Sequence, residues 1–164
     1  MIDLAALTPE VDALAAMLRR KGWRLSTAES CTGGLIAALC TSVAGSSDWF
    51  ERGFVTYSDA AKREMLGIDA ALIDAHGAVS GPVALAMAAG ALAHSHADLA
   101  LAVTGIAGPG GAVPGKPLGT VWLGLMQRGA APEAEHLQLA GDRGSVRAQT
   151  VVIALRRLLT RGQD

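Results

Sequence analysis

The alternation of apolar and polar positions along the chain predicts its helices and strands. Helices are indicated where apolar residues share one face between capping residues and glycine stops. On these signals we expect a helix at residues 8–21 with Thr8 as the N-cap and a second helix that carries Leu35, Ile36, Leu39 and Cys40. Further helices are expected from Ser58 to near Gly67, from Ser80 to about His94 and from Asp142 onward. Short apolar or alternating runs predict strands at residues 23–27, 52–57, 99–103, 120–125 and 135–139.

The order of these elements predicts an α/β fold. Residues 99–103 are apolar throughout, which is typical of a central strand buried on both faces. Helices between the early strands imply parallel crossovers, whereas the short link between the last two strands implies an antiparallel pair. We therefore expect a single domain, residues 1–164, that forms a three-layer α/β/α sandwich around a mixed, mostly parallel sheet of about five strands.

Composition and charge narrow the classes of function. A net charge of −1, from 14 basic and 15 acidic residues, argues against nucleic acid as the main partner. No apolar run reaches the roughly 18 residues of a membrane span, and the start Met1-Ile2-Asp3 lacks the basic region of a signal peptide. The two cysteines, Cys31 and Cys40, form neither a metal-ligand pattern nor a disulfide framework. We therefore expect a cytoplasmic protein without a membrane partner.

Three turns that carry glycine or hydroxyl residues follow predicted strands. They occupy residues 30–34, 57–62 and 104–119. Ligands of open α/β sheets bind outside the carboxyl ends of the parallel strands, so we expect the three turns to meet at one edge and to form a site.

Ser30, in the first turn, is a candidate nucleophile. The N–H groups of Thr32, Gly33 and Gly34 would point outward from a helix start, where they would stabilise an oxyanion or a phosphate. The same residues also form an ordinary helix cap, and their spacing alone favours the cap. The hydrolase pattern Gly-x-Ser-x-Gly is absent, and the neighbouring Cys31 is the second candidate for the nucleophile because no histidine lies near it.

Lys62 is the best-placed candidate for the base that a serine nucleophile needs. The four histidines fall away from the three turns, whereas Lys62 lies near a predicted helix start, where the helix dipole and burial would lower its pKa. Against this, Asp59 lies one turn earlier and would pair with an ammonium group, and most lysines are simply solvated. Tyr57, the only tyrosine, would relay a proton or orient Ser30 if it is more than a strand-end residue.

The third turn and the last helix are candidates for binding an anion. Residues 104–111 can expose a row of backbone N–H groups, although they match neither a Walker loop nor a dinucleotide fingerprint. Arg143 and Arg147 share a helix face and would either grip a phosphate or be solvated. The pair His94 and His96 lacks further ligands, so we expect no metal site.

Taken together, the chain resembles the CinA C-terminal-domain family of nicotinamide-nucleotide amidohydrolases, in its stand-alone form. The matching stretches cover nearly the whole chain in the order of the family: Ala28-Glu29-Ser30-Cys31-Thr32-Gly33-Gly34, Gly45-Ser46-Ser47, Gly53-Phe54-Val55-Thr56-Tyr57-Ser58 with Lys62, His76-Gly77-Ala78-Val79-Ser80, Thr104-Gly105-Ile106-Ala107-Gly108-Pro109, Lys116-Pro117-Leu118-Gly119-Thr120-Val121 and Gly141-Asp142-Arg143.

The resemblance implies a reaction and a set of roles. The reaction is hydrolysis of nicotinamide mononucleotide to nicotinate mononucleotide and ammonia in pyridine-nucleotide salvage, without a metal or other cofactor, by a homodimer. The implied nucleophile is Ser30, with Lys62 and Tyr57 as proton-transfer partners and the helix-start amides as the oxyanion site. The implied contacts to ribose and phosphate come from Thr104, Gly105, Ile106, Ala107, Gly108 and Arg143.

Two stretches depart from the family pattern, and two other functions stay open. The usual Ser-Asn-Glu-Ala-Lys is replaced by Ser58-Asp59-Ala60-Ala61-Lys62, which brings a carboxylate towards the base, and Gly110 and Gly111 stand where many relatives have an acidic residue first. The alternatives are a nucleotide-sensing module without turnover and a metal-dependent phosphohydrolase that acts on a dinucleotide.

Overall fold

The computed structural model describes residues 5–162, in which helices and strands alternate. The strands are β1 (Leu25–Glu29), β2 (Phe50–Val55), β3 (Leu99–Gly105), β4 (Thr120–Gln127) and β5 (Glu133–Gln138). The helices are α1 (Thr8–Lys21), α2 (Leu35–Cys40), α3 (Asp59–Leu66), α4 (Ala70–His76), α5 (Gly81–Ala93) and α6 (Arg143–Arg161), with short 3-10 turns at Ala5–Leu7 and Ser46–Asp48. Residues 1–3, on which the prediction of no signal peptide rests, lie outside the described residues.

The strands form one mixed sheet in the order β2-β1-β3-β4-β5. β1 lies parallel to both β2 and β3, whereas β4 is antiparallel to β3 and to β5. Only β4 therefore runs against the other strands, and the predicted mixed, mostly parallel sheet is confirmed. The carboxyl ends of β1, β2 and β3 lie side by side at one edge.

Alternate residues of β3 explain the three layers. Leu99, Leu101 and Val103 face a core that α1, α2 and α6 complete, whereas Ala100 and Ala102 face a second core under α3, α4 and α5. Large side chains on one face and alanines on the other let the alanine-rich α5 approach the sheet closely.

Several predicted boundaries move in the structure. Leu7, which makes no side-chain cap, precedes α1 in place of the predicted cap Thr8. β1 begins at Leu25 rather than at residue 23, because the chain turns at Gly22 in a left-handed conformation and the ring of Trp23 packs under Lys21. The sequence interpretation missed α4, a seven-residue helix that the side chain of Asp69 caps.

The buried face of α6 carries Val146, Thr150 and Leu158, whereas Ile153 is only partly covered. Within residues 5–162, no helix has both the length and the apolar character that crossing a membrane requires.

Gly124 of β4 lets α5 approach the sheet. A Cβ built on Gly124 would collide with the carbonyl group of Ala84, which is backbone and has no rotamer to change. Because α5 begins directly after residues 78–80, this contact also sets the position of the turn that precedes it.

We expect Gly124→Ala to destabilise the protein by about 2 kcal/mol, because an added methyl group must push α5 off the sheet. Gly110→Ala is the matched control, since a Cβ at Gly110 meets no atom within 4 Å. Urea unfolding of both variants measures the difference, and equal stability of the two would contradict the close approach.

Candidate active site

The three predicted turns meet in one cavity at the carboxyl ends of β1, β2 and β3. Its volume is about 220 Å³, and its walls come from Ser30, Cys31, Tyr57, Asp59, Lys62, Ala78, Val79, Thr104, Gly105, Ala107 and Arg143. A larger hollow of about 470 Å³ lies between α3 and α4, but neither a serine nor a cysteine lines it. We therefore place the candidate site in the smaller cavity, where the reactive side chains converge.

Ser30 and Lys62 lie in contact at the base of this cavity. The Nζ atom of Lys62 is 3.2 Å from Ser30 Oγ and 3.0 Å from the carbonyl oxygen of Thr56. Ser30 is 8% exposed and Lys62 only 1%. The backbone N–H of Ser30 donates to the carbonyl of Val103 on β3, which ties the serine to the centre of the sheet. The distance suits proton transfer between the hydroxyl group and the amine.

Lys62 reaches Ser30 because of the local structure of α3. Ser58 caps this helix by accepting a hydrogen bond from the N–H of Ala61 at 3.0 Å. Lys62 then follows one turn into the helix and shares its buried face with Leu66, four residues later. A long side chain on this face extends towards the N-terminal end of the helix, where the strands end.

Burial is the main influence on the protonation of Lys62. It lowers the pKa of the amine, whereas the charges of Asp59 and Cys31 act in the opposite direction with smaller effect. Within residues 5–162, Asp59 forms no ion pair with Lys62, and its side chain is exposed at the cavity wall. The net effect is a pKa below the ordinary value of a lysine, which makes the neutral amine, the form that can accept a proton from Ser30, easier to reach.

Glu29, which the sequence interpretation did not consider, holds the loop that carries Ser30. Its carboxylate is 1% exposed and accepts hydrogen bonds from the hydroxyl group of Thr32 at 2.6 Å and from the N–H groups of Gly34 at 3.1 Å, Ile36 at 3.0 Å and Ala37 at 2.8 Å. A buried charge next to the start of α2 thus satisfies the helix-end donors. The signal in the sequence that could have indicated this cap is a glutamate at the end of a strand, just before the start of a helix.

This cap changes the predicted oxyanion site. The N–H of Gly34 donates to Glu29, and that of Gly33 donates to the carbonyl of Ser30 at 3.0 Å, so neither is available to a ligand in this conformation. The N–H of Thr32 makes no hydrogen bond within residues 5–162. Of the three predicted donors, Thr32 is the one whose N–H the described residues leave unengaged, although Thr32 itself is buried and does not line the cavity.

Arg143 and Arg147 share a helix face but contact different turns. Arg147 donates to the carbonyl of Thr32 at 3.0 Å and so supports the Ser30 loop from below. Arg143 donates to the hydroxyl group of Tyr57 at 2.8 Å and to the carbonyl of Gly108 at 2.9 Å. Arg143 therefore joins the second and third turns at the cavity wall.

Tyr57 lines the cavity but does not contact the Ser30–Lys62 pair. Its side chain is 59% exposed, and its hydroxyl group is bonded to Arg143. A proton-relay role would need the ring to move. Its present position suits contact with the outer part of a ligand.

The predicted loop residues from Thr104 to Gly108 divide into two groups. Thr104, Gly105 and Ala107 line the cavity, and the Thr104 hydroxyl donates to the carbonyl of Ala78 at 2.9 Å. Ile106 instead hydrogen-bonds through its backbone to residues 119 and 120, and Gly108 offers its carbonyl to Arg143. Ala78 and Val79 complete the wall.

Cys31 lines the same cavity, but its chemistry differs from that of Ser30. Burial raises the pKa of its thiol to about 11, so the unreactive protonated form prevails near neutral pH. Within residues 5–162, no three His, Cys, Asp or Glu side chains lie close enough together to hold a metal ion.

Comparison with known proteins shows which family the sequence matches. The model of the CinA C-terminal domain matches residues 8–161. The chain is 49% identical over 146 residues to the nicotinamide-nucleotide amidohydrolase PncC of Enterobacter agglomerans, a match that covers 89% of each chain. It is 54% identical over 154 residues to a CinA-like protein of Citrifermentans bemidjiense, which covers 92% of this chain and 37% of that protein.

The fold is also closely similar to that of a solved structure. The competence damage-inducible protein A of Klebsiella pneumoniae subsp. pneumoniae MGH 78578 superposes with a TM-score of 0.90 at 41% identity, over 93% of this chain and 94% of that chain.

We expect Glu29→Gln to lower the free energy of unfolding by about 3 kcal/mol, because an amide NH₂ group would face N–H donors that the carboxylate now satisfies. Glu64→Gln, an exposed carboxylate on α3, is the control and should change stability little. Thermal unfolding of the two variants measures the difference. A Glu29→Gln protein as stable as the control would contradict the role of the cap.

Proposed function

Because the chain belongs to the CinA C-terminal-domain family, we propose that it is an amidohydrolase that converts nicotinamide mononucleotide into nicotinate mononucleotide and ammonia. The proposal rests above all on the buried Ser30–Lys62 pair, with its atoms 3.2 Å apart in a cavity at the sheet edge. The name of the Enterobacter agglomerans relative supports the choice of substrate.

In the first half of the proposed reaction, Ser30 is acylated. The neutral amine of Lys62 takes the hydroxyl proton while Ser30 Oγ attacks the carboxamide carbon, and the carbonyl oxygen becomes an oxyanion near the N–H of Thr32. The C–N bond then breaks. The ammonium group of Lys62 returns its proton to the departing nitrogen, so that ammonia leaves and an ester to Ser30 remains.

In the second half, water replaces ammonia. Lys62 takes a proton from a water molecule, whose oxygen attacks the ester carbon, and the ester bond breaks with return of the proton to Ser30 Oγ. The products are the pyridine carboxylate and the free enzyme. Because Lys62 ends each half as it began, no further base is required.

Residues at the outer wall would hold the nucleotide part of the substrate. Arg143 presents a guanidinium group that suits a phosphate, and its contacts to Tyr57 and Gly108 keep it in place. Thr104, Gly105 and Ala107 form the wall between Arg143 and Ser30. A homodimer and a cytoplasmic location belong to the same proposal, and sedimentation measures the first of them.

We expect Ser30→Ala to abolish ammonia release from nicotinamide mononucleotide while the protein stays folded, because no other group can form the ester. Cys31→Ala is the matched variant, since it removes the neighbouring nucleophile and should keep most of the activity. An ammonia-coupled assay measures both. Activity that survives Ser30→Ala and disappears in Cys31→Ala would transfer the chemistry to the thiol.

The same assay separates catalysis from nucleotide sensing. A chain that binds the nucleotide tightly but releases no ammonia over hours would act as a sensor of the same fold. Stimulation by a divalent ion would instead favour phosphoryl chemistry.

We also expect kcat/KM to rise with pH and to level off above the pKa of Lys62, which burial holds below 10.5, because protonation removes the base. Stability should rise with pH from the folded-state pKa of Lys62, where kcat/KM levels off, up to the higher pKa of the same amine in the unfolded chain, because in that interval the folded state binds fewer protons than the unfolded chain. Lys62→Met should lose both activity and this pH-dependent gain in stability, whereas Lys21→Met, outside the cavity, should keep both. A pH–rate profile with an unchanged rising limb in Lys62→Met would exclude Lys62 as the base.

A further inference from the structure

Two side chains of opposite formal charge line the cavity, one from α3 and one from α6. Asp59 stands at the first position of α3 and supplies a carboxylate, whereas Arg143 supplies a guanidinium group from α6. The cavity also contains the amine of Lys62, whose pKa is lowered by burial, and the protonated thiol of Cys31. A ligand in the cavity therefore meets a carboxylate and a guanidinium group on its walls, beside the amine of Lys62.

The carboxylate of Asp59 has no cation of its own. Within residues 5–162 it makes neither an ion pair nor a side-chain hydrogen bond. Arg143 is engaged with Tyr57 and Gly108, and Arg147 with the carbonyl of Thr32. A ligand that fills the cavity would shield Asp59 from water, which is costly unless the ligand brings a positive charge.

We propose that Asp59 is a specificity-determining residue that selects carboxamides carried on a positively charged aromatic ring. The inference rests on the proposed function and extends it, because the pyridinium ring of an N-linked nicotinamide has this charge. In such a ring the cationic nitrogen lies only a few bonds from the carboxamide carbon. An amide at Ser30 therefore brings the ring cation into the same small cavity as Asp59, while the phosphate extends towards Arg143.

This role also explains why an acidic side chain, Asp59, lies close to Lys62, which must be neutral to act as the proposed base. In the empty cavity the Asp59 carboxylate favours the protonated form of Lys62. A cationic ring beside Asp59 offsets that charge, so that the substrate opposes the protonation of its own base. A neutral dihydropyridine ring, with the same carboxamide, ribose and phosphate, lacks this effect.

The test compares the oxidised and reduced forms of nicotinamide mononucleotide, which differ in ring charge. Their dissociation constants are measured by titration calorimetry on Ser30→Ala, which prevents turnover, with and without Asp59→Asn at low salt. We expect Asp59→Asn to weaken binding of the oxidised nucleotide by about tenfold and that of the reduced nucleotide by less than about twofold. Glu64→Gln on the same helix, outside the cavity, is the control and should change neither value.

A kinetic ratio with Ser30 intact gives the second measurement. In Asp59→Asn we expect the ratio of kcat/KM for the oxidised nucleotide to kcat/KM for the reduced nucleotide to fall by about the same factor. If the reduced nucleotide is only an inhibitor, the inverse of its inhibition constant takes the place of its kcat/KM. Any change in the titration of Lys62 in the free enzyme affects both nucleotides alike at one pH and cancels in the ratio of kcat/KM values.

The outcomes separate the inference from the function on which it rests. If the unsubstituted chain releases no ammonia and Ser30→Ala binds neither nucleotide, the proposed function is wrong and the inference falls with it. If ammonia is released but Asp59→Asn affects both nucleotides equally, or neither, the proposed function stands and the role of Asp59 in recognising ring charge is overturned.

Discussion

The buried carboxylate of Glu29 is the interaction on which the site depends. It ends β1, the strand between β2 and β3, and accepts four hydrogen bonds from the loop and from the first turn of α2. A charge in this buried position is stable only because these four donors are directed at it. The next residue is Ser30, so the constraint that caps the helix also sets the position of the proposed nucleophile. Arg147 adds a second restraint at the carbonyl of Thr32.

The position of Lys62 follows from a different constraint, the packing of α3 on the sheet. Its amine is buried because the helix face that carries it also carries Leu66 into the core. Burial brings the amine to Ser30 and lowers its pKa. The packing of α3 therefore determines both the position of the amine and the direction of its pKa shift. The close approach of α5 at Gly124 positions the opposite wall of the cavity.

The charges around this pair divide into those that build the site and those that face the ligand. Glu29 and Arg147 are turned into the protein. Glu29 accepts hydrogen bonds from backbone N–H groups and from the Thr32 hydroxyl, and Arg147 donates to the carbonyl of Thr32, although its buried Nε atom has no partner among the described residues. Asp59 and Arg143 line the cavity itself. This division explains how a chain with a net charge of −1 can still present separate groups of opposite charge to the nucleotide that we propose as its substrate.

The sequence by itself determined the α/β class, the five strands and the meeting of three turns at one edge, because these depend on local periodicity, caps and the crossover rule. It also singled out Ser30 and Lys62. Only the tertiary structure decided that Glu29 occupies the N–H of Gly34, that Arg143 and Arg147 serve different turns, and that the pull of Asp59 on Lys62 is weaker than the effect of burial. Such outcomes depend on which groups meet across distant parts of the chain and on how much water they lose, and neither quantity is contained in local spacing.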